Sequence, residues 1–185
     1  SIMRELSLNV LDIVQNSISA NASLIGVELH EHIKKDLLEI NIFDNGKGMT
    51  DEQVKSVTDP FYTTRTTRKV GLGIPLFKMA AEMAGGRLSI ESKPNCGTKI
   101  YTSYVYSSID RMPVGDMNMT IVMLIQMNPD IDFVYTHSVN DAEYKLDTRE
   151  LREQLGGVPL DNSDVLDWIK EYIAENDAEL LSTDT

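Results

Sequence analysis

The sequence predicts an α+β fold, and three observations predict it. Residues 3–21 carry apolar side chains at helical spacing. Residues 24–43 and 87–106 each read as two strands joined by turn residues. A second helix, entered by Gly71 and Gly73 and stopped by Gly85-Gly86, stands between those strand pairs. The 185 residues suit one domain, or one domain with an appendage, and a 42% apolar fraction is enough for a core.

The first helix is justified by Leu6, Val10, Ile13, Val14 and Ile18, which recur every three or four residues and form one apolar stripe. Glu5, Asn9, Asp12 and Asn16 form a second, polar stripe. Asp12 and Asn16 are four apart, so they point the same way one turn apart. Polar residues at this spacing ordinarily mean a solvated face.

Leu24 to His30 alternates as a strand, with Lys34-Lys35-Asp36 as its turn and residues 36–43 as the next strand. His30 and His32 lack an evident third metal ligand and are expected to be a solvent-exposed pair. The second strand delivers Asp44-Asn45-Gly46-Lys47-Gly48. There the aspartate leaves the sheet beside two glycines, which let other atoms approach bare main chain. Taken alone, Asp-Asn-Gly is also an ordinary turn.

Thr50 is placed to cap a short helix, with Asp51 and Glu52 in its first turn. Residues 58–70 have no clear period, but they carry four threonines after Tyr62 and three cations, Arg65, Arg68 and Lys69. A stretch of this kind reads as a lid suited to a polyphosphate, or as a mobile surface loop with no ligand. Gly71-Leu72-Gly73 opens the next helix, where free backbone amides and the helix dipole favour an anion, and Pro75 fits its first turn. Arg87 to Ser92 and Thr98 to Tyr106 are the second strand pair, and no internal repeat is present.

Charge divides the chain at Ser107. Residues 1–106 hold 12 acidic and 12 basic side chains, whereas residues 107–185 hold 17 and 5, which is the whole net charge of −12. The second part is expected to repel nucleic acid and anionic membrane, so neither is expected as a partner. The expected domains are therefore 1–106 and an acidic α+β extension, 107–185. In the extension, Asp116 to Met127 and Thr148 to Leu155 read as helices, with a hairpin around Asn140-Asp141 between them. A last helix runs from Asp164 to Glu175, and residues 176–185 are expected to fray. His137 is expected to be an ordinary exposed histidine, and the nine methionines mainly core filler. Cys96 is the one cysteine, and the longest apolar run near the C-terminal half, Ile121 to Ile125, is far too short to span a bilayer. A soluble, cytoplasmic protein is expected.

The order Asp12…Asn16, Asp44-x-Gly46-x-Gly48, Phe61, Gly71-x-Gly73 and Gly97-Thr98 resembles the GHKL superfamily of gyrase, Hsp90, histidine kinases and MutL, over roughly residues 4–106. The resemblance implies the Bergerat ATP-binding fold, a two-layer α/β sandwich whose mixed sheet carries helices on one face, with ATP and Mg²⁺ as ligands. It implies that Asn16 holds Mg²⁺, that Asp44 accepts a hydrogen bond from the adenine amino group, and that Gly46 and Gly48 let the base lie against main chain. Gly71, Leu72 and Gly73 would present the helix entrance to the phosphates. Residues 61–70, with Phe61, Thr64, Arg65 and Lys69, would close over them, and Thr98 would help hold the adenine.

Small stand-alone histidine-kinase-like ATPases, including anti-sigma-factor serine kinases, are similar in size. No helical pair with a phosphoacceptor histidine stands ahead of the domain, so a complete sensor kinase is not expected. Gyrase-like members carry a glutamate general base where this chain has Asp12, one methylene shorter. Histidine kinases commonly carry a basic residue near Ser19, leaving phosphate charge to Arg65, Arg68, Lys69 or Lys78. These departures, with a short lid, favour slow turnover or phosphoryl transfer to a protein partner. An ATPase driving an assembly step and a pure ATP-binding module are the alternatives.

Overall fold

In a computed structural model of the chain, the residues described are 5–59 and 73–182. Helix α1 (Leu6–Ser19) leads into strands β1 (Leu24–His32) and β2 (Leu37–Asp44) and helix α2 (Asp51–Thr58). Helix α3 (Gly73–Met83) and strands β3 (Leu88–Ser92) and β4 (Thr98–Val105) follow. The acidic segment supplies α4 (Met117–Met127), β5 (Asp132–Val139), β6 (Ala142–Asp147), α5 (Thr148–Leu155) and α6 (Ser163–Ser182).

All six strands form one mixed sheet, in the order β3-β4-β2-β1-β5-β6. Neighbours are antiparallel except β1 and β5, which run parallel with Leu24 opposite Asp132. Alternation decides the faces. Ile25, Val27 and Leu29 of β1, Leu38, Ile40 and Ile42 of β2, and Phe133 and Tyr135 of β5 are buried together on one face. Helices α1, α3, α4 and α6 pack over the sheet, and their apolar residues join those strands in one core cluster. The acidic segment thus extends the sheet and its core. The opposite face carries Glu28, His30, Asn41 and Ser138. There the Phe43 ring lies so close over Gly26 that a Cβ would sit 1.9 Å from it, so any side chain at this position would have to displace the ring.

Local chemistry explains the helix ends. Thr50 caps α2 in a capping box with Gln53. Helix α1 has no side-chain cap, and Pro113 and Val114 carbonyls instead accept from the Leu6 and Ser7 amides at 2.9 Å each. Asp116 accepts from the Met119 amide and Asn162 from the Asp164 amide, both at 2.9 Å.

Three expectations are corrected. Helix α6 runs to Ser182 rather than fraying after residue 175, because Leu180 is only 4% exposed and Asp177 is held by three side chains. His137 is half-buried, not exposed, because it lies on the helix-facing side of β5 between two carboxylates. The methionines are not mainly filler, since Met79, Met83, Met119, Met123 and Met127 are all exposed.

Candidate functional site

A cavity of about 320 Å³ opens where β2 ends, between the C-terminal half of α1 and strand β4. Its walls are mostly apolar, from Ile13, Ile42, Met49, Val57, Ile74 and Ile100, and its polar lining includes Asn16, Ser17, Asp44, Lys47 and Thr98. An apolar slot with few converging polar groups suits a flat, partly polar ligand.

Asp44 is fixed from two sides. Ser17 donates its hydroxyl to Oδ2 at 2.7 Å, and the Gly46 amide donates to Oδ1 at 2.8 Å. Each carboxylate oxygen accepts more than one hydrogen bond, so acceptor capacity remains on a group whose orientation is already set. Thr98 is directly opposite Asp44 in the β2–β4 register. Ser92 Oγ accepts from the Met49 amide at 2.9 Å, donates to the Gly97 carbonyl at 3.0 Å, and meets the Thr98 hydroxyl at 2.8 Å. With the Ser92 proton on Gly97, Thr98 must donate to Ser92, which leaves the Thr98 oxygen an acceptor.

The turn after Asp44 is locked by Asn45, whose side-chain oxygen accepts from the Ser23 and Leu24 amides. Gly48 lines the cavity at φ +68°, and a Cβ there would fall 1.9 Å from the Lys93 carbonyl. Gly46 does not line the cavity. A Cβ on it would sit 2.7 Å from the Ala20 carbonyl. In the structure both glycines therefore admit protein backbone at close range.

The structure brings Asn16, Asp44, Gly48 and Thr98 together in the cavity lining. Asp12 is exposed and outside that lining, but a Cβ on Gly73 would lie 3.5 Å from the Asp12 Cβ, so the start of α3 faces the polar stripe of α1. Phe61, Thr64, Arg65, Lys69, Gly71 and Leu72 lie outside the described residues. Sequence reasoning missed Ser17. Its signal was available, because Ser17 continues the apolar stripe of Val10, Ile13 and Val14, where a hydroxyl needs a partner.

Among the described residues no group of three or more His, Cys, Asp or Glu side chains could hold a metal ion. His30 and His32 are half-buried rather than solvent-exposed. Their rings lie 6.0 Å apart, and their nitrogens are engaged by Ser138, Glu28 and Glu39. Asn16 offers a single neutral oxygen. That suits Mg²⁺, which keeps most of its shell for phosphate and water.

A mixed sheet with helices on one face, an anchored carboxylate in an apolar slot and a glycine-entered helix define a nucleotide-binding α+β domain. The profile of the histidine kinase-, DNA gyrase B- and HSP90-like ATPase family matches residues 1–106, and the chain belongs to that family. It is 32% identical over 94 residues to the sensor protein DegM of Bacillus sp. (strain B21-2), covering 51% of this chain and 25% of that protein. It is 35% identical over 89 residues to the sensor protein kinase FleS of Pseudomonas aeruginosa, covering 48% and 22%. With sporulation kinase B of Bacillus subtilis (strain 168) it shares 33% identity over 98 residues, covering 52% and 22%. The chain thus spans a quarter or less of the length of these relatives. Among solved structures, the N-terminal domain of a DNA repair protein superposes with a TM-score of 0.51 at 15% identity, covering 77% of this chain and 51% of that one. That likeness concerns the fold, and it takes in more of the chain than residues 1–106 alone.

Proposed function

We propose that the cavity binds ATP with Mg²⁺, and that the protein uses the nucleotide to act on a partner protein by transferring the γ-phosphate or by switching with nucleotide state. The observation that carries this reading is Asp44, oriented by Ser17 and Gly46 at an apolar cavity with acceptor capacity to spare. A carboxylate cannot donate, so it favours a purine with an exocyclic amino group over one with a carbonyl there. Thr98 supplies a second polar contact from across the β2–β4 pair. Asn16 would hold Mg²⁺, which supplies charge neutralisation on the phosphates. The amides at the start of α3 would meet the phosphates, and Phe61, Thr64, Arg65, Lys69, Gly71 and Leu72 would complete the enclosure.

Phosphoryl transfer of this kind needs mainly positioning and charge compensation from the protein. A second reading, slow hydrolysis, is favoured by the proximity of Asp12 to Gly73, where a carboxylate could orient water. Residues 1–106 would then be the nucleotide unit and residues 107–185 the acidic extension serving recognition. A cytoplasmic location fits a nucleotide-dependent role. No described helix is long and apolar enough to cross a membrane.

Titration calorimetry with ATP and GTP in Mg²⁺ tests the binding reading, with heat expected for ATP and little for GTP. Labelled ATP then separates the activities. Label on a co-purified protein supports transfer, whereas free phosphate lost in Asp12→Ala supports hydrolysis. Equal affinity for the two purines would sink the role assigned to Asp44.

A further inference from the structure

Two opposite charges line the cavity without pairing. Asp44 and Lys47 stand three residues apart on one turn, and both belong to the lining. Asp44 accepts from Ser17 and from the Gly46 amide. Lys47 has no ion-pair partner among the described residues. Among the described residues it is also the one cation in the lining. Of the cations that the sequence offered for phosphate, Arg65, Arg68 and Lys69 lie outside the described residues. Lys78 lies outside the lining, 3.9 Å from Glu82 one turn along α3.

The main chain of Lys47 is held on both sides. Its amide donates to the Ala20 carbonyl at 2.9 Å, and its carbonyl accepts from the Asn95 amide at 2.7 Å. The turn is thereby tied to the end of α1 and to the β3–β4 turn. The side chain starts from a set point beside the last turn of α1, where Asn16, Ser19 and Ala20 also line the cavity. Lys47 is exposed, so it belongs to the rim of the cavity rather than to its buried walls.

We propose that the Lys47 ammonium binds the first phosphate of the nucleotide, the one attached to the ribose. The proposal rests on the reading in which Asp44 takes the adenine amino group. The apolar walls, Ile42, Met49 and Ile100 among them, suit the base and exclude phosphate, so the phosphates leave by the rim. Lys47 follows Asp44 on the same turn and so serves the phosphate nearest the base, while Asn16 and the start of α3 serve those beyond. Lysine is a compact charge on a four-carbon stem with three rotatable donors, which suits a single phosphate at a rim. The carboxylate thus takes the donor end of the ligand and the ammonium its anionic end. A neutral nucleoside would use the first and leave the second idle.

The cavity should therefore tell a nucleotide from a nucleoside without any metal ion. The test omits Mg²⁺ and titrates the full nitrogen-15-labelled chain with adenosine and with AMP, reading the Gly46 and Gly48 amide signals. AMP is expected to bind roughly fivefold more tightly than adenosine, the upper scale of one exposed ion pair. Lys47→Met keeps the aliphatic stem and removes the charge. It is expected to erase that gain and leave adenosine affinity where it was, whereas Lys47→Arg retains the gain. Equal affinity for the two ligands in the natural chain, or a gain that persists in Lys47→Met, would overturn the proposal while adenosine binding leaves the adenine reading standing. Equal losses for both ligands in Lys47→Met would overturn it too, by assigning Lys47 to the base or to the fold. Should neither ligand bind the natural chain, the adenine reading falls and this proposal falls with it.

Discussion

Two carboxylate clusters occupy opposite ends of the same strand pair. At one end Asp44 is opposite Ile25. At the other, six residues along β1, Glu31 is opposite Leu38, a separation of about 20 Å. Among the described residues Asp44 accepts from Ser17 and Gly46, and its surroundings include a cavity. The far carboxylates instead face each other across one imidazole. His137 lies between Glu31, at 2.6 Å from Nε2, and Asp177, at 2.9 Å from Nδ1. Asp177 also accepts from Tyr144 at 2.6 Å and Asn118 at 2.8 Å, and Glu31 accepts from Tyr106 at 3.1 Å. Both imidazole nitrogens face carboxylates, so both donate and the ring is held as its cation. A fixed carboxylate at a cavity marks a place for a ligand. Carboxylates gathered on the protein's own donors join its elements, here β1, β5, β6, α4 and α6.

The sharpest way to break this contrast is Asp177→Ala. It strips His137, Tyr144 and Asn118 of their shared acceptor and is expected to cost about 2–4 kcal/mol of stability. Urea unfolding should show that loss, while calorimetry shows ATP affinity unchanged. Asp44→Asn should do the reverse, weakening ATP by about 1–3 kcal/mol with little change in the urea midpoint. A large stability loss at Asp44 would erase the distinction between the two ends.

A smaller effect is expected with pH. Burial alone would lower the His137 pKa, but hydrogen bonds to Asp177 and Glu31 outweigh it and raise it from 6.5 to about 9. Its folded value lies above its unfolded one, so its contribution is fully present below pH 6.5 and lost as pH rises through about 9. Partial exposure tempers the size, to roughly 1–2 kcal/mol. Urea midpoints at pH 6.5 and 9.5 should fall in the natural chain and change less in His137→Gln. For Asp177 burial raises the pKa, but bonds from His137, Tyr144 and Asn118 leave it below the usual carboxylate range. Its contribution is therefore lost in acid instead.

Much of this was legible because the signals are local. The stripe of Leu6, Val10, Ile13 and Val14 and the cap at Thr50 fall within single elements. The resemblance that singled out Asp44 and Thr98 depends on order along the chain, and the two residues do face each other across β2 and β4. What was missed depends on partners distant in sequence. Nothing near Leu24 says that its neighbour in the sheet is Asp132. Asp177 has no local reason to extend a helix, and its reason is His137, on another element. Met119, Met123 and Met127 read as core filler because composition cannot say which side of a helix meets a sheet.

The smallest expected effect tests α1, the helix that serves the ligand end. Asn9 is only 5% exposed, and among the described residues its Oδ1 has no hydrogen-bond partner. A buried acceptor without a donor loses its hydration for no return. Replacing it by an apolar residue of similar volume removes that loss and keeps the packing. Asn9→Leu is therefore expected to stabilise the chain by about 1 kcal/mol, read as a higher urea midpoint at constant slope. Asn9 is not among the residues lining the cavity, so ATP affinity should hold. A gain in stability with a loss of affinity would show that the ligand end draws on strain stored one turn or more up its own helix. The two ends of the sheet would then differ in stored strain as well as in what their carboxylates face.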